Sequence, residues 1–497
     1  MNLFPSRLFF RAGCGSQSRN SSKPMNPRYN PPEDAKDTGF DSGHKISKGG
    51  YINKLPTEIL RGIFLLAQQP CIHDILVSTK QHPQTYPTTD ALASTCSRWR
   101  HISLQTAELW PHIDIATTIR SSKSDRVRYR AQLWAKRARD LPLHLHFHEI
   151  TLKYRGGFEY VSEIYAYKHV ASVQLWSDSA YPFNYFPWRR LCNLFEPRPA
   201  QLSFSVVVEK KYIQQPNWLL SQEFCDAVNV LHFKGVNRAW DSRLYYNLTE
   251  LRLENMQATI AIRAHELAGI LTASPGLRSL ALADLYVSPR YFGDPIPLND
   301  LEVLNLRTLH QASIAFVLPL LGPGPNPLKM SIPGVGHCLG KAAEAFFERS
   351  NVTELFVDYI RPDEWCPLPP SLSKSLRKLA IINCDFLSEE TPSLSDMGFS
   401  PSVPAEPIVF PELRELHLIK STSSSKLLLP IIEAHSLEKL WFSECELDGI
   451  RRCPGDWEPI QQCNMKGLIS RIKEIVEFVM CADDHRLDPA VSWSFVT

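Results

Sequence analysis

Three histidines, His144, His146 and His148, recur at every second position in the stretch PLHLHFHEI. In an extended strand that spacing sets three imidazoles on one face, a donor set able to hold a divalent metal. Leu143, Leu145 and Phe147 fill the alternate positions, so half-burial of a strand accounts for the same pattern, and no metal is expected. A second stretch, GVGHCLGKA (Gly334 to Ala342), looks like a phosphate loop. A Walker-type loop needs glycine six residues before Lys341, and that position is Val335. It reads instead as a glycine-rich bend before a helix. Cys445, Cys453 and Cys463 lack zinc-like spacing, and there is no G-x-S-x-G elbow. The run Arg120 to Arg139, with Tyr129 and Trp134, has the make-up of a phosphate- or RNA-contacting segment. A solvated helix face explains it better, and no nucleic-acid partner is expected. Nothing in these stretches argues for catalysis or a cofactor: the chain reads as a non-enzyme.

The elements that carry these residues belong to a chain of ordinary globular balance, 44% hydrophobic and 21% charged, with a formal net charge of +2. Neither a basic nor an acidic excess points to a partner. The 12 cysteines are scattered, with no C-x-x-C pair, as in reduced intracellular proteins. No apolar run reaches the roughly 18 residues of a membrane span, so no membrane is expected. Residues 1–32 contain no Asp or Glu but do contain Arg7, Arg11, Arg19, Lys23 and Arg28. That pattern suits a mitochondrial transit peptide; a disordered leader over 1–50 in a cytoplasmic or nuclear protein is the preferred expectation.

The first ordered stretch is YINKLPTEILRGIFLLA, from Tyr51 to Ala67. Leu55-Pro56 opens a helix, where proline's missing N–H costs nothing. Glu58 suits the positive end of the helix dipole. Ile59, Leu60, Ile63, Phe64 and Ala67 then repeat at helical spacing. A second helix follows Asp90, a good N-cap, with Leu92, Cys96, Trp99 and Ile102 on one face. A third short segment, TAELWPHIDI, places Leu109 and Trp110 before Pro111. So small a helical unit buries little and needs a support.

The combination LPxEILxxIF, CSRWRHIS and LW resembles the F-box, in the form with a long insert between the first two helices that is common in large fungal families. The resemblance covers residues 51 to about 148. It implies docking to a Skp-type adaptor and, through that adaptor, to a cullin–RING ubiquitin ligase. It further implies that Leu55, Pro56, Ile59, Leu60, Ile63 and Phe64 face the adaptor, while Cys96, Trp99, Leu109 and Trp110 belong to the core of the F-box.

Beyond residue 140 a different rhythm begins. Apolar pairs at alternate positions recur at Leu145/Phe147, Val173/Leu175, Leu202/Phe204, Leu231/Phe233, Leu251/Leu253 and Leu280/Leu282. They continue at Leu304/Leu306, Leu328/Met330, Leu355/Val357, Leu379/Ile381, Leu416/Leu418 and Leu440/Phe442. Most steps fall in the roughly 20–29-residue window of leucine-rich repeats, and helical stretches such as AHELAGILTAS and GKAAEAFFERS lie between them. This section resembles the repeats of many F-box receptors. The Ser- and Pro-rich residues 388–410 read as an inserted loop, and Gly467 to Ala482 as a capping helix carrying Leu468, Ile472, Ile475, Val476 and Val479 on one face.

The expected fold class is α+β: a three-helix F-box over 51–115, a basic linker helix over 116–140, an α/β leucine-rich-repeat-like solenoid over 141–450, and a cap and tail over 451–497; the runner-up for the long remainder is a mixed α/β domain without true repeats. The expected function is the substrate-recognition subunit of an SCF-type (Skp–cullin–F-box) E3 ubiquitin ligase that binds an unidentified target protein. The alternative is a repeat scaffold with no ligase role. Residues alternating with the buried leucines project from the strands. They nominate Arg252, Asn305, Lys329, Phe356, His417 and Trp441, with Glu254, Arg307, Asp358 and others beside them, as target-binding positions.

Overall fold

The computed structural model describes residues 51–67, 89–116, 121–148, 169–177, 191–192, 201–208, 220–236, 239–255, 261–289, 293–333, 340–358, 374–383, 410–423, 432–443, 445–447, 450–451 and 478–482. The expected leader, residues 388–409 of the expected loop and most of the expected cap lie outside them. The chain divides into two compact units, residues 1–55 and 56–497. In the first, the described part is a single 3-10 turn, Tyr51–Lys54, closed by the Leu55 N–H donating to the Ile52 carbonyl at 3.3 Å.

The second unit opens with helix α1, Thr57–Ala67. Its first turn closes when the Leu60 N–H donates to the Pro56 carbonyl at 3.1 Å. Helices α2 (Thr89–Thr95) and α3 (Ser97–Gln105) follow. The sequence pattern had put Cys96 inside one continuous helix. It instead breaks the helix: at φ −153° it caps α3, its sulfur accepting the Trp99 N–H. The expected third helix is a single 3-10 turn, Ala107–Leu109, and its second half is strand β1, His112–Ala116. Trp110 sits between the two, fully buried, its indole N–H donating to the Ser103 carbonyl at 2.8 Å. Helix α4, Ser121–Arg137, covers the expected basic linker. It buries Ala131, Trp134, Ala135 and, just beyond its end, Ala138. Trp134 meets Trp110 edge-on at 5.9 Å and Arg137 lies over the Trp110 ring at 4.3 Å. A run legible only as charge is thus also an apolar stripe that joins the front helices to the sheet edge.

Thirteen further strands continue from β1: β2 Leu143–His148, β3 Val170–Ser177, β4 Leu202–Val208, β5 Val228–Lys234, β6 Glu250–Glu254, β7 Ser279–Ala283, β8 Val303–Asn305, β9 Leu328–Pro333, β10 Val352–Asp358, β11 Lys378–Ile382, β12 Glu415–Ile419, β13 Lys439–Ser443 and β14 Phe478–Ala482. They form one 14-stranded sheet in which each strand pairs with the next, and every pairing is parallel. Parallel neighbours need crossover connections. Helices supply several: α5 (Gln222–Ala227) before β5, α6 (Ala264–Thr272) before β7, α7 (Gln311–Leu320) before β9 and α8 (Gly340–Arg349) before β10.

This arrangement corrects the expected fold class. The protein is α/β, a single large parallel sheet with interleaved helices, rather than a three-helix F-box followed by a solenoid. The physical reason lies at the junction. Pro111 ends the helical turn, and β1 pairs immediately with β2 through five residue pairs from His112↔His144 to Ala116↔His148. The front helices therefore share a core with the sheet. The expected capping helix is corrected at its end as well. Phe478–Ala482 is strand β14, with Val479 beside Leu440; a free sheet edge offers a strand backbone partners that helical periodicity in the sequence does not reveal.

One face of the sheet is a continuous apolar row. Register places Leu145, Val173, Phe204, Leu231, Leu251 and Leu280 side by side, and continues through Leu304, Met330, Leu355, Leu379 and Leu416 to Leu440. All of them are buried. The burial of each side chain contributes roughly 1.5–3 kcal/mol.

The strands end in a repeated corner. Gly235, Asn255, Asp284, Asn383 and Lys420 each follow the last residue of a strand and take a positive φ of 48–68°. The first four then donate their N–H to the carbonyl of Glu254, Ala283, Thr308 and Ile419 at 2.9–3.3 Å. At Gly235 the geometry excludes a side chain, because a Cβ there would lie 2.2 Å from the Val208 carbonyl oxygen.

Candidate functional site

The apolar stripe of α1 divides in two. Leu60 and Phe64 are both 0% exposed, and α1 packs against α3 and the 3-10 turn after it. The Phe64 ring lies 4.9 Å from Trp99. These two residues are corrections: expected to face an adaptor, they form the module's own core, because their spacing of four points both at α3. Pro56, Ile59, Ile63 and Leu66 recur at spacings of three, four and three, and so share a second face that adjoins the first. Ile59 is 52% and Leu66 87% exposed; Pro56 is exposed and Ile63 half-buried, as is Leu55 in the first unit. Leu109 and Trp110 are buried, while Cys96 and Trp99 are half-buried. Arg61 and Glu108 form an ion pair that ties α1 to the turn.

The nominated target-binding residues fall on the other face of the sheet. Arg252, Asn305, Phe356, His417 and Trp441 all lie in one central in-register row. The same row also holds His146, Gln174, Ser205 and His232, four residues that were not singled out for it. Their signal was the polar type at each position opposite a buried leucine. Phe356 is 0% exposed and packs with Ala380, Ile382 and Ile419. It is core, not a contact surface, because residues on neighbouring strands close over it. Arg252 and His417 are also buried and already engaged within the chain. Asn305, Lys329 and Trp441 are half-buried.

Two polar clusters interrupt this row. In the first, Ser205 Oγ and His232 Nδ1 share a 3.2 Å hydrogen bond. Arg252 Nε donates to Glu254, whose other oxygen lies 3.9 Å from His232 Nε2, too long for a hydrogen bond. Burial pushes the His232 pKa down, opposed by Glu254 and reinforced by the Arg252 charge. Burial alone would raise the Glu254 carboxyl, but His232 and Arg252 together hold it at about 2. Burial, then the Glu254 charge, raises the Asp284 carboxyl at the next corner. The serine, imidazole and carboxylate resemble a catalytic relay in composition only: Ser205 is buried in mid-sheet and the imidazole–carboxylate bond is absent. A polar latch between β4, β5 and β6 describes the geometry better.

The second cluster lies on β11, β12 and β13. Glu415 is paired by Lys439 at 2.6 Å and Lys378 at 3.7 Å. His417 stacks on Trp441 with centroids 5.7 Å apart and planes inclined by 7°. Burial, then the Lys378 charge, lowers the His417 pKa to about 4, against the pull of Glu415, so its ring is neutral at neutral pH. The Trp441 indole N–H is buried and has no acceptor among the described residues. These side chains continue an alternating ladder along the neighbouring row, Lys329, Glu354, Lys378, Glu415, Lys439, in which Lys329 pairs with Glu354 at 3.1 Å.

The histidine face of β2 is occupied by ring packing: His144 stacks on His112 at 4.5 Å and shares a hydrogen bond with Ser172, and burial lowers its pKa. Among the described residues no group of three or more His, Cys, Asp or Glu could hold a metal, and no helix is long and apolar enough to cross a membrane. The half of GVGHCLGKA before Gly340 lies outside the described residues, as do Cys453 and Cys463. No family model matches the chain, and no curated protein matches it.

Proposed function

We propose that this protein is the substrate-recognition subunit of an SCF-type ubiquitin ligase, docking to a Skp-type adaptor through α1 and holding a target protein on the polar face of its sheet. One observation carries the reading: Pro56, Ile59, Ile63 and Leu66 form a second apolar stripe, exposed at Pro56, Ile59 and Leu66, beside the one to which the buried Leu60 and Phe64 belong. An amphipathic helix that keeps a second apolar face in water is suited to a groove on a partner. The resemblance of LPxEILxxIF, CSRWRHIS and LW to the F-box supports the identity of that partner. The protein itself would make and break no bonds. It would hold a target's lysine beside the conjugating enzyme and so raise its effective concentration. Such a role belongs in the cytoplasm or nucleus.

Co-purification with a Skp-type adaptor tests the reading. Ile59→Asp with Ile63→Asp is expected to abolish association, and a thermal melt checks that the fold survives the change at the half-buried Ile63. Failure of the unaltered protein to bind any such adaptor refutes the proposal. The burial of Leu60 and Phe64 favours a second reading, an interaction scaffold in which α1 only caps the sheet edge; adaptor binding that is lost with the Ile59/Ile63 variant excludes it.

A further inference from the structure

We infer that the β11–β13 end of the polar face, centred on Trp441 and Lys439, binds an acidic peptide segment of a partner protein. The inference rests on the target-recruiting role proposed above and names the chemistry of the target.

The charge count at this cluster is uneven. Among the described residues, Lys378 and Lys439 share one directly paired carboxylate, Glu415, and Glu438 beside Lys439 is paired with Arg414. Lys378 also faces the Phe356 ring at 5.9 Å, and the carboxylate on its other side, Glu354, is taken by Lys329. Lys439 keeps 54% of its side chain exposed while holding Glu415, so its ammonium has donors left for a second anion. Charge complementarity therefore asks for a carboxylate from outside.

Beside the lysines lies an aromatic platform. His417 is buried and its ring is stacked on Trp441, which fixes the indole while leaving it half-exposed. A rigid, partly exposed tryptophan beside a polar rim is the type of residue that dominates protein interfaces. Its N–H, buried without an acceptor among the described residues, is a donor that a carbonyl or carboxylate oxygen can satisfy if the indole edge shifts on binding. Further along the row, Arg252 is buried and bonded to the half-buried Glu254. Of the described cations in the two clusters, the accessible ones are thus at β11–β13. An extended acidic segment would set a carboxylate on Lys439 and an apolar side chain on Trp441.

Fluorescence anisotropy on the full chain tests this with three labelled peptides of equal length: alternating Glu-Leu, Gln-Leu and Lys-Leu. The Glu-Leu peptide is expected to bind at least about tenfold more tightly than either control, and more weakly as salt rises. Trp441→Ala and, separately, Lys439→Gln should each weaken it about tenfold. Lys439 is mostly solvent-exposed, so its variant keeps the fold even if Trp441→Ala does not; thermal melts check both. Equal binding of the three peptides, no binding of Glu-Leu, or Glu-Leu binding unmoved by Lys439→Gln overturns the inference. Preference for a labelled single-stranded oligonucleotide over Glu-Leu overturns it too. Adaptor co-purification distinguishes the two readings: a negative peptide result with adaptor binding intact removes only this one, whereas loss of adaptor binding by the unaltered protein removes the proposed function and leaves the peptide measurement standing.

Discussion

Leu60→Ala and Ile59→Asp, one residue apart on α1, should behave oppositely. Leu60 is 0% exposed, and truncating a fully buried leucine costs about 2–5 kcal/mol, the higher end where the cavity cannot collapse. The site has little freedom to collapse. Phe64, one turn on, is held against Trp99, and Ile102 behind them is also buried. A cost of about 3 kcal/mol follows. Ile59 is 52% exposed, so its burial contributes roughly half of the 1.5–3 kcal/mol of a fully buried side chain. Asp at that position also lies in the first turn, where the helix dipole favours a negative charge by about 0.3–1 kcal/mol. A net loss under about 1 kcal/mol follows. Urea unfolding of both variants, monitored by circular dichroism, measures the difference. Adaptor association should show the reverse order, with Ile59→Asp the more damaging once folding is accounted for. Equal destabilisation by the two would mean that the outer stripe is packed, and the division of α1 into a core face and a docking face would be wrong.

Three further outcomes follow from the sheet. Gly235→Ala meets the Val208 carbonyl and takes an unfavourable φ of +68°; a loss of at least about 2 kcal/mol is expected, and unchanged thermal stability would refute the corner geometry. The His417 pKa is held down at about 4, against the usual 6.5 of a histidine. Its stabilisation is therefore complete above about pH 6.5 and is lost as the pH falls towards 4, up to about 3 kcal/mol by linkage. His417→Phe should flatten that part of the pH–stability curve, and a curve of unchanged shape counts against the assignment. Glu254→Gln leaves the buried Arg252 guanidinium without its counter-charge and should cost about 3 kcal/mol near neutral pH. That difference should shrink as the pH drops from about 4.5 towards 2, because the native carboxylate loses its own advantage there.

The apolar half of the architecture was legible in the chain. Leu145, Val173, Leu231, Leu251 and the leucines after them recur at alternate positions with spacings that return one strand to the next, and they became neighbours in register. The helical stretch at Thr57–Ala67 was legible for the same reason, since a period of 3.6 leaves a stripe. Periodicity could not say that the segment after Pro111 pairs as β1, because HIDIA becomes a strand only when the edge of β2 is beside it. Nor could it distinguish a capping helix from β14, since Phe478–Ala482 is apolar at both spacings.

Local sequence determined where this protein has apolar stripes, since these depend on residues within a few positions of one another. Tertiary structure alone decided which side of α1 is core, that Lys378, Glu415 and Lys439 form one charge network across three strands, and that His417 rests on Trp441. Those pairings join residues 24 or more positions apart, where nothing in the local pattern sets a distance. Only the closing of the parallel register brings them within reach of each other.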